Sequence, residues 1–463
     1  GPGQGGLDQS MPGGSAKNLQ VLLDGGNMSM AAVNESVLRI LTPMFSVGLF
    51  ESVDVNGSLL NSSRWVGANV TSAEHNAVAR QLAARAMVLL KNEGDVLPIG
   101  KQVKTIALIG AQAAQPVVHG GGSGQVFPAS VAAPLDSIRA KFAGPANCST
   151  PGGPGNCVLY DDGKDPETLA PTVKAAEIAI VFLATDSGEG QDRKTLSFDG
   201  NGQGGGPQQD ELVASVAAAA AAGPHRTKVV VVMVSPGAVL TPWRDSVDCM
   251  VSCIMPGQEF GNALTDVLWG DVAPTARLPF TLPAHDNQMP FTQEQWPGVP
   301  APVYDNNEPT SVMGANGLST YSEKLLVGHR YYDAHGLTPA FCFGHGLGFE
   351  SQAKFTYSNL KASRSDGARF TLSNSGSADA ATVVQLYLGF PAEAGEPPKV
   401  LKGFKHVQVK AGGSAQVTLP LPDEALSIWD VASSAWKVQA GTFTAMVGES
   451  SCDIRLNATF LAQ

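Results

Sequence analysis

Ile178-Ala179-Ile180-Val181-Phe182-Leu183-Ala184-Thr185-Asp186-Ser187-Gly188-Glu189-Gly190-Gln191-Asp192-Arg193 joins an unbroken apolar run to a polar turn punctuated by glycine. A short continuous apolar run that ends in turn residues reads as a strand buried on both faces, the pattern of a parallel sheet flanked by helices. Comparable runs occur at Thr105 to Gly110, Val229 to Val234 and Cys249 to Met255, and helix-like stretches such as Pro207 to Ala222 and Gln258 to Trp269 lie between them. The spacing predicts an α/β domain with a mostly parallel sheet and crossover helices. Ligands in such folds bind beyond the carboxyl ends of the strands, so the turn after Ala184 is the first candidate site. Glu189 stands between two glycines, whose freedom of dihedral lets the turn carry its carboxyl away from the sheet. A proton donor there needs a raised pKa, which partial burial or a second carboxylate supplies and a close Arg193 opposes. Arg193 is expected to pair with Asp192 or Asp186 instead.

Working outward, Gly1 to Gly14 is Gly/Pro-rich and reads as a loop. Met30 to Phe50 has apolar residues at helical spacing, and Asn56 to Val70 reads as an exposed connection. Thr71 and Glu74 have capping-box spacing ahead of a helix through Ala83 to Leu90. The Ala217 to Ala222 run reads as plain helix. After Phe349 the period becomes two, as in Thr382 to Leu388 and Ala415 to Leu419, with turns at Ser375-Gly376, Ala411-Gly412-Gly413 and Ala440-Gly441. That pattern predicts an all-β sandwich of immunoglobulin-like size. The expected units are 1–70, 71–349 and 350–463.

Composition narrows the function. Of 463 residues, 43% are hydrophobic and 15% charged, with 52 Gly and 31 Pro, which describes a loop-rich globular chain. A net charge of −11 repels phosphate backbones and anionic lipid, so no nucleic-acid partner is expected. The apolar runs fall far short of the roughly 18 residues of a membrane span, so no membrane partner is expected either. Sequons at Asn27, Asn34, Asn56, Asn61, Asn69, Asn147 and Asn457 point to a secreted glycoprotein. Cys148 and Cys157 bracket a Pro/Gly-rich stretch that a disulfide could close, and other pairings stay open. The first residue is Gly, which reads as a processed product or fragment. His119-Gly120-Gly121-Gly122-Ser123-Gly124 lacks the Gly-Lys-Ser/Thr ending of a phosphate loop, and the cysteines lack zinc-site spacing. No metal and no cofactor are predicted.

Several stretches resemble the C-terminal portion of glycoside hydrolase family 3, the β-glucosidase and β-xylosidase family. Met87-Val88-Leu89-Leu90-Lys91-Asn92-Glu93 with Leu97-Pro98 is similar to the helix opening its second domain, and Asp186 through Arg193 is similar to its acid/base loop. Pro256-Gly257-Gln258-Glu259, Asp266-Val267-Leu268-Trp269-Gly270, Arg277-Leu278-Pro279, Tyr321-Ser322-Glu323, Val327-Gly328 and Arg330-Tyr331-Tyr332-Asp333 resemble later parts of that domain. Pro397-Pro398-Lys399-Val400-Leu401-Lys402-Gly403-Phe404 and Trp429-Asp430 with Trp436 resemble the fibronectin type III-like domain that follows in many members.

The resemblance implies retaining hydrolysis of a terminal β-linked glucose or xylose, with Glu189 as acid/base and Glu323 as the rival acid, the latter more suited to positioning a loop. The implied partner is a β-linked oligosaccharide or glycoside. It also implies that residues 1–70 are the end of a TIM-like barrel plus a linker. The family's nucleophile, an Asp before Trp on a barrel strand, has no counterpart here, since only Gly1 to Gly5 precede Gly6-Leu7-Asp8-Gln9-Ser10-Met11-Pro12-Gly13. Asp8 is read as structural, and the gly-rich 119–124 segment as a loop facing the sugar cleft. Lys324 and His329 stand where relatives often carry Gly and Tyr. The chain alone is expected to be inactive, with the barrel as a possible separate partner chain. A different class of function, a non-catalytic carbohydrate-binding or structural glycoprotein on the same fold, is the alternative.

Overall fold

The computed structural model describes residues 7–9, 16–50, 70–143, 155–199, 208–223, 225–296, 298–305, 308–349 and 352–462. The chain divides into two compact units, Gly1–Ser72 and Ala73–Gln463. In the first, helices α1 (Ala16–Asp24) and α2 (Met30–Ser46) follow each other, and the Ser29 hydroxyl caps α2 by accepting the Ala32 amide at 3.2 Å. Arg39 on α2 donates from Nε and Nη2 to the two oxygens of Asp8, each at 2.8 Å. Hydrogen bonds from Arg39 and Ser36 hold the Asp8 carboxyl down at about 2. Asp8 is thus a structural anchor within its own unit.

The second unit opens with α3 (Ala73–Ala86) and β1 (Val88–Asn92). It continues through β2 (Thr105–Ile109), α4 (Pro134–Ile138), β3 (Cys157–Asp161), α5 (Pro166–Lys174), β4 (Ile178–Ala184), α6 (Gln209–Ala221), β5 (Lys228–Val234), β6 (Cys249–Cys253) and α7 (Phe260–Leu268). The six strands form one sheet in the order β1-β6-β5-β4-β2-β3, parallel except for β1, which runs antiparallel to β6. Alternation along the apolar runs supplies two cores at once. Ile178, Ile180 and Phe182 face the layer of Ala83, Leu135, Ile138, Phe260 and Leu264, whereas Ala179, Val181 and Leu183 face Leu169, Val173, Val213 and Val216. That is why β4 shows no polar residue: every position on it is buried.

One expectation needs correction. The helix through Leu90 ends at Ala86, and Val88–Asn92 is an edge strand on β6. Strand β3 and a hairpin of β7 (Val299–Asp305) and β8 (Glu308–Leu318) were not foreseen. A second disulfide joins Cys342 to Cys452, 110 residues apart. Cys157 is disulfide-bonded, while its expected partner Cys148 lies outside the described residues. Cys249 and Cys253 are buried free thiols.

After α8 (His329–His335) comes a sandwich of two antiparallel sheets. One holds β9 (Phe355–Ser363), β10 (Gly367–Asn374) and β13 (Ser414–Leu419); the other holds β11 (Ala380–Gly389), β12 (Val400–Val409), β16 (Gly441–Ser450) and β17 (Asp453–Ala462). A small hairpin, β14 (Ser427–Asp430) with β15 (Ala435–Val438), pairs Trp429 with Trp436. Phe370, Leu372, Leu386, Leu388, Phe443 and Val447 fill the space between the sheets.

Polar groups join this sandwich to the α/β layer. Arg277, 10% exposed, donates to the Thr382 hydroxyl at 2.6 Å and to the Gly346 carbonyl, and lies 3.6 Å from Glu449. Gln385 donates to the carbonyls of Gly344 (2.9 Å) and Glu449 (2.6 Å), and Lys399 pairs with Asp333. Burial raises the Glu449 and Asp333 carboxyls. His329 stacks on Phe343 at 4.6 Å, and burial, followed by the charges of Arg330 and Lys399, brings its pKa down to about 4.

Arg277→Ala removes one of the two cations near Glu449, leaving Arg455, together with the bonds to Thr382 and Gly346, and urea denaturation is expected to show a loss of at most about 3 kcal/mol, the lower end of the cost of halving a buried ion pair. His329 has the opposite linkage to a salt-bridged histidine. Its folded pKa lies below the ordinary 6.5, so its contribution is complete above that value and is lost as pH falls towards 4. The stability difference between the wild type and His329→Gln is expected to shrink by at most about 3 kcal/mol over that window, measured by denaturation at stepped pH.

Candidate active site

In the strand order, β2 connects onward to β3 on one side and β4 connects onward to β5 on the other. Adjacent parallel strands whose connections diverge leave a crevice beyond their carboxyl ends, the usual ligand position in open α/β sheets. The two loops that border it carry His119 to Gly124 after β2 and Thr185 to Arg193 after β4.

These loops meet backbone to backbone. The Gly121 amide donates to the Ser187 carbonyl at 3.0 Å, and Gly121 and Gly188 form a parallel bridge. A Cβ on Gly120 would stand 2.7 Å from the Ser187 carbonyl oxygen, and one on Gly122, whose φ is +83°, 2.5 Å from the Glu189 Cβ. Side chains are excluded there by the approach itself. Gly188 and Gln191 exchange amide-to-carbonyl bonds at 3.2 and 3.0 Å, closing a tight turn in which Glu189 and Gly190 are the central residues. Glu189 is exposed at the end of this turn.

Its carboxylate accepts the Ser123 amide at 3.1 Å and the Ser123 hydroxyl through a short bond. Both bonds favour the charged form and hold the carboxyl below the usual glutamate range, the hydroxyl contributing more. The raised pKa expected of a proton donor is therefore absent from this arrangement, because the exposed side chain has, among the described residues, no second carboxylate beside it to raise it. Arg193 does not pair with Asp192 or Asp186. Its Nη2 donates to the Ala238 carbonyl at 2.8 Å, and burial lowers its pKa. Arg193 thereby ties the far end of the turn to the segment after β5, and among the described residues no cation is bonded to Glu189.

Glu323 is partly buried and accepts Gln295 Nε2 at 2.9 Å, while its carbonyl takes the Leu326 amide at 2.9 Å. Those contacts organise the turn ahead of α8. Ser123 was not singled out from the sequence as a partner of Glu189, although the glycines around it signalled a close approach. Among the described residues no three His, Cys, Asp or Glu side chains gather as a metal-binding group. A shallow cavity of about 540 Å³ along α6, lined by Asp210, Ala214, Ala217 and Trp243 among others, lacks Glu189; its Asp210 is already bonded by Trp243 and Ser197.

The model of the glycosyl hydrolase family 3 C-terminal domain matches residues 87–349, more than half of the chain, and that of the fibronectin type III-like domain matches residues 382–451. The chain belongs to glycosyl hydrolase family 3. Within the family it is 31% identical to a probable β-glucosidase L of Emericella nidulans over 98% of this chain and 64% of that protein. It is 32% identical to thermostable β-glucosidase B of Acetivibrio thermocellus over 97% of this chain and 55% of that protein. The chain thus spans less than two thirds of these curated relatives. Among solved family structures, a Streptomyces venezuelae β-glucosidase in complex with D-glucose superposes with a TM-score of 0.78 at 25% identity, covering 100% of this chain and 70% of that one. A Bifidobacterium adolescentis β-glucosidase superposes at 0.77 with 28% identity, covering 99% and 62%.

Ser123→Ala removes the stronger of the two bonds that favour the Glu189 anion. The Glu189 carboxyl midpoint, followed by carbon-13 NMR titration, is expected to move up towards the ordinary glutamate value, while a Ser137→Ala control leaves it in place.

Proposed function

We propose that this chain carries the acid/base half of a retaining β-glycosidase acting on terminal β-linked glucose or xylose. Glu189 protonates the departing glycosidic oxygen and later deprotonates the attacking water, and the carboxylate nucleophile comes from residues outside these 463. In a retaining enzyme the two carboxyl groups stand about 5–5.5 Å apart, so the nucleophile has to reach the turn at Glu189 closely. The observation that carries the reading is an exposed glutamate at the end of a two-glycine turn, at the crevice of the parallel sheet and tied to a second glycine-rich loop. β-Glucosidases recur among the relatives, which supports the substrate class. Glu323 serves as a loop-positioning residue, and a barrel, in the same polypeptide or as a separate chain, is the partner that completes the site.

A secreted location follows from the same reading. The Cys342–Cys452 bridge and the disulfide at Cys157 belong to an oxidising compartment, and the sequons fit passage through one. Among the described residues no helix is long and apolar enough to cross a membrane.

The test uses the chain joined to its upstream sequence. Glu189→Gln is expected to lower kcat/KM by about 10²–10⁴ on alkyl β-glucosides, whose leaving groups need a proton, and far less on nitrophenyl glucosides, whose leaving groups do not. Loss on alkyl glucosides for Glu323→Gln but not for Glu189→Gln would transfer the acid role to Glu323. The 463-residue chain by itself is expected to release no nitrophenol. Glu189-dependent release by that chain would place the nucleophile within it, and glucoside binding with no turnover by the joined protein would favour the non-catalytic carbohydrate-binding alternative.

A further inference from the structure

The seven sequons are unevenly placed. Six lie at or before Asn147, the seventh is Asn457-Ala458-Thr459, and none falls between residues 150 and 456, the stretch that contains Glu189. Three of them lie on described residues, and their surroundings differ. At Asn27-Met28-Ser29 the serine hydroxyl is used as the cap of α2. At Asn34-Glu35-Ser36 the serine bonds to the Asp8–Arg39 pair. At Asn457 the sequon is a piece of regular strand with both polar side chains directed to solvent.

Strand β17 alternates cleanly. Ile454, Leu456, Ala458, Phe460 and Ala462 are buried or half-buried, and Arg455, Asn457, Thr459 and Leu461 are exposed. Asn457 and Thr459 therefore share the outer face, two residues apart, opposite Met446 and Thr444 of β16. Neither side chain hydrogen-bonds another described residue. The next residue on that face, Leu461, is 59% exposed, with Thr442 across from it. A branch attached at Asn457 leaves the face without displacing any packed atom or breaking any bond of the fold. It also covers the apolar surface that Leu461 and Met446 offer to solvent.

We propose that Asn457 is an N-glycosylation site, modified when the chain passes through a eukaryotic secretory pathway, and that its glycan shields the outer face of β16 and β17. The donor is a lipid-pyrophosphate-linked oligosaccharide. The Asn457 amide nitrogen forms a bond to C1 of the terminal N-acetylglucosamine, the C1–oxygen bond to the pyrophosphate breaks, and the amide proton leaves to the released pyrophosphate. The sandwich bears this glycan, and the stretch from residue 150 to 456, which contains Glu189, has no sequon, so a polymeric substrate approaches the Glu189 turn without meeting a glycan on that stretch.

The chain secreted from yeast tests the assignment by peptide mass spectrometry. Trypsin cleaves after Arg455 and releases Leu456 to Gln463, a peptide with Asn457 as its single asparagine. The bare peptide is expected to be absent until peptide-N-glycosidase is applied in heavy-oxygen water, after which it appears with heavy-oxygen aspartate at 457. Recovery of the bare peptide from the secreted protein before deglycosylation overturns the proposal. Thr459→Ser is expected to keep the glycan and Thr459→Val to abolish it. Because both replacements preserve the strand, loss of the glycan in neither or in both would overturn the sequon assignment. None of these measurements depends on catalytic activity, so their failure is separable from failure of the acid/base reading.

Discussion

Everything at the crevice depends on two backbones lying closer than side chains permit. The Gly121 amide reaches the Ser187 carbonyl only because positions 120, 122 and 188 carry no Cβ, and at Gly122 the chain also turns through a φ of +83°. That contact does more than close a loop. It brings Ser123 beside Glu189 across 66 residues of sequence and fixes the carboxylate by two donors from one residue. An alanine at 120 or 122 acts first on this register and through it on the charge state of Glu189.

How far the sequence discloses this differs from element to element. The run Ile178 to Ala184 is legible because a strand with packed layers on both faces has no solvent-facing position, so the composition itself reports the two cores. Val88-Leu89-Leu90 is apolar too, but three residues cannot distinguish the end of a helix from a short strand, and the edge pairing with β6 decides it. Strand β3 follows a Pro/Gly-rich stretch that masks its start. Glu189 was visible as a glycine-flanked carboxylate in the turn after β4. Its partner was not, because the adjacency of Ser123 is set by the lateral order of β2 and β4, a property of the sheet that no spacing along the chain encodes. The pairing of Arg193 failed for a related reason: the guanidinium is drawn inward to the Ala238 carbonyl rather than along its own loop.

Polar groups tie the sandwich to the α/β layer. Arg277, Gln385 and Lys399 each satisfy acceptors from the other side, and the Cys342–Cys452 bridge crosses the same boundary. Buried ion pairs gain little net stability over a well-packed apolar contact, but each has few satisfying geometries. A junction built this way holds one relative placement of the two parts of the second unit. His345, in the segment entering the sandwich, also bonds the Leu90 carbonyl on β1 at 2.9 Å, so the junction reaches the edge of the parallel sheet.

The lowered pKa of Glu189 bears directly on how one carboxyl could serve both steps of a retaining reaction. The first step needs a proton on it, and the second needs the proton gone. Under the proposed assignment, a charged nucleophile about 5 Å away raises the Glu189 pKa by like-charge repulsion, against the pull of Ser123, and so favours the acid form. Once the nucleophile is esterified to the sugar its charge is gone, the repulsion ends, and the Ser123 donors return Glu189 to the anion that a general base must be. The serine is then no obstacle to acid catalysis: it sets the low resting value from which the second carboxylate lifts the first, and to which glycosylation of that carboxylate lets it fall.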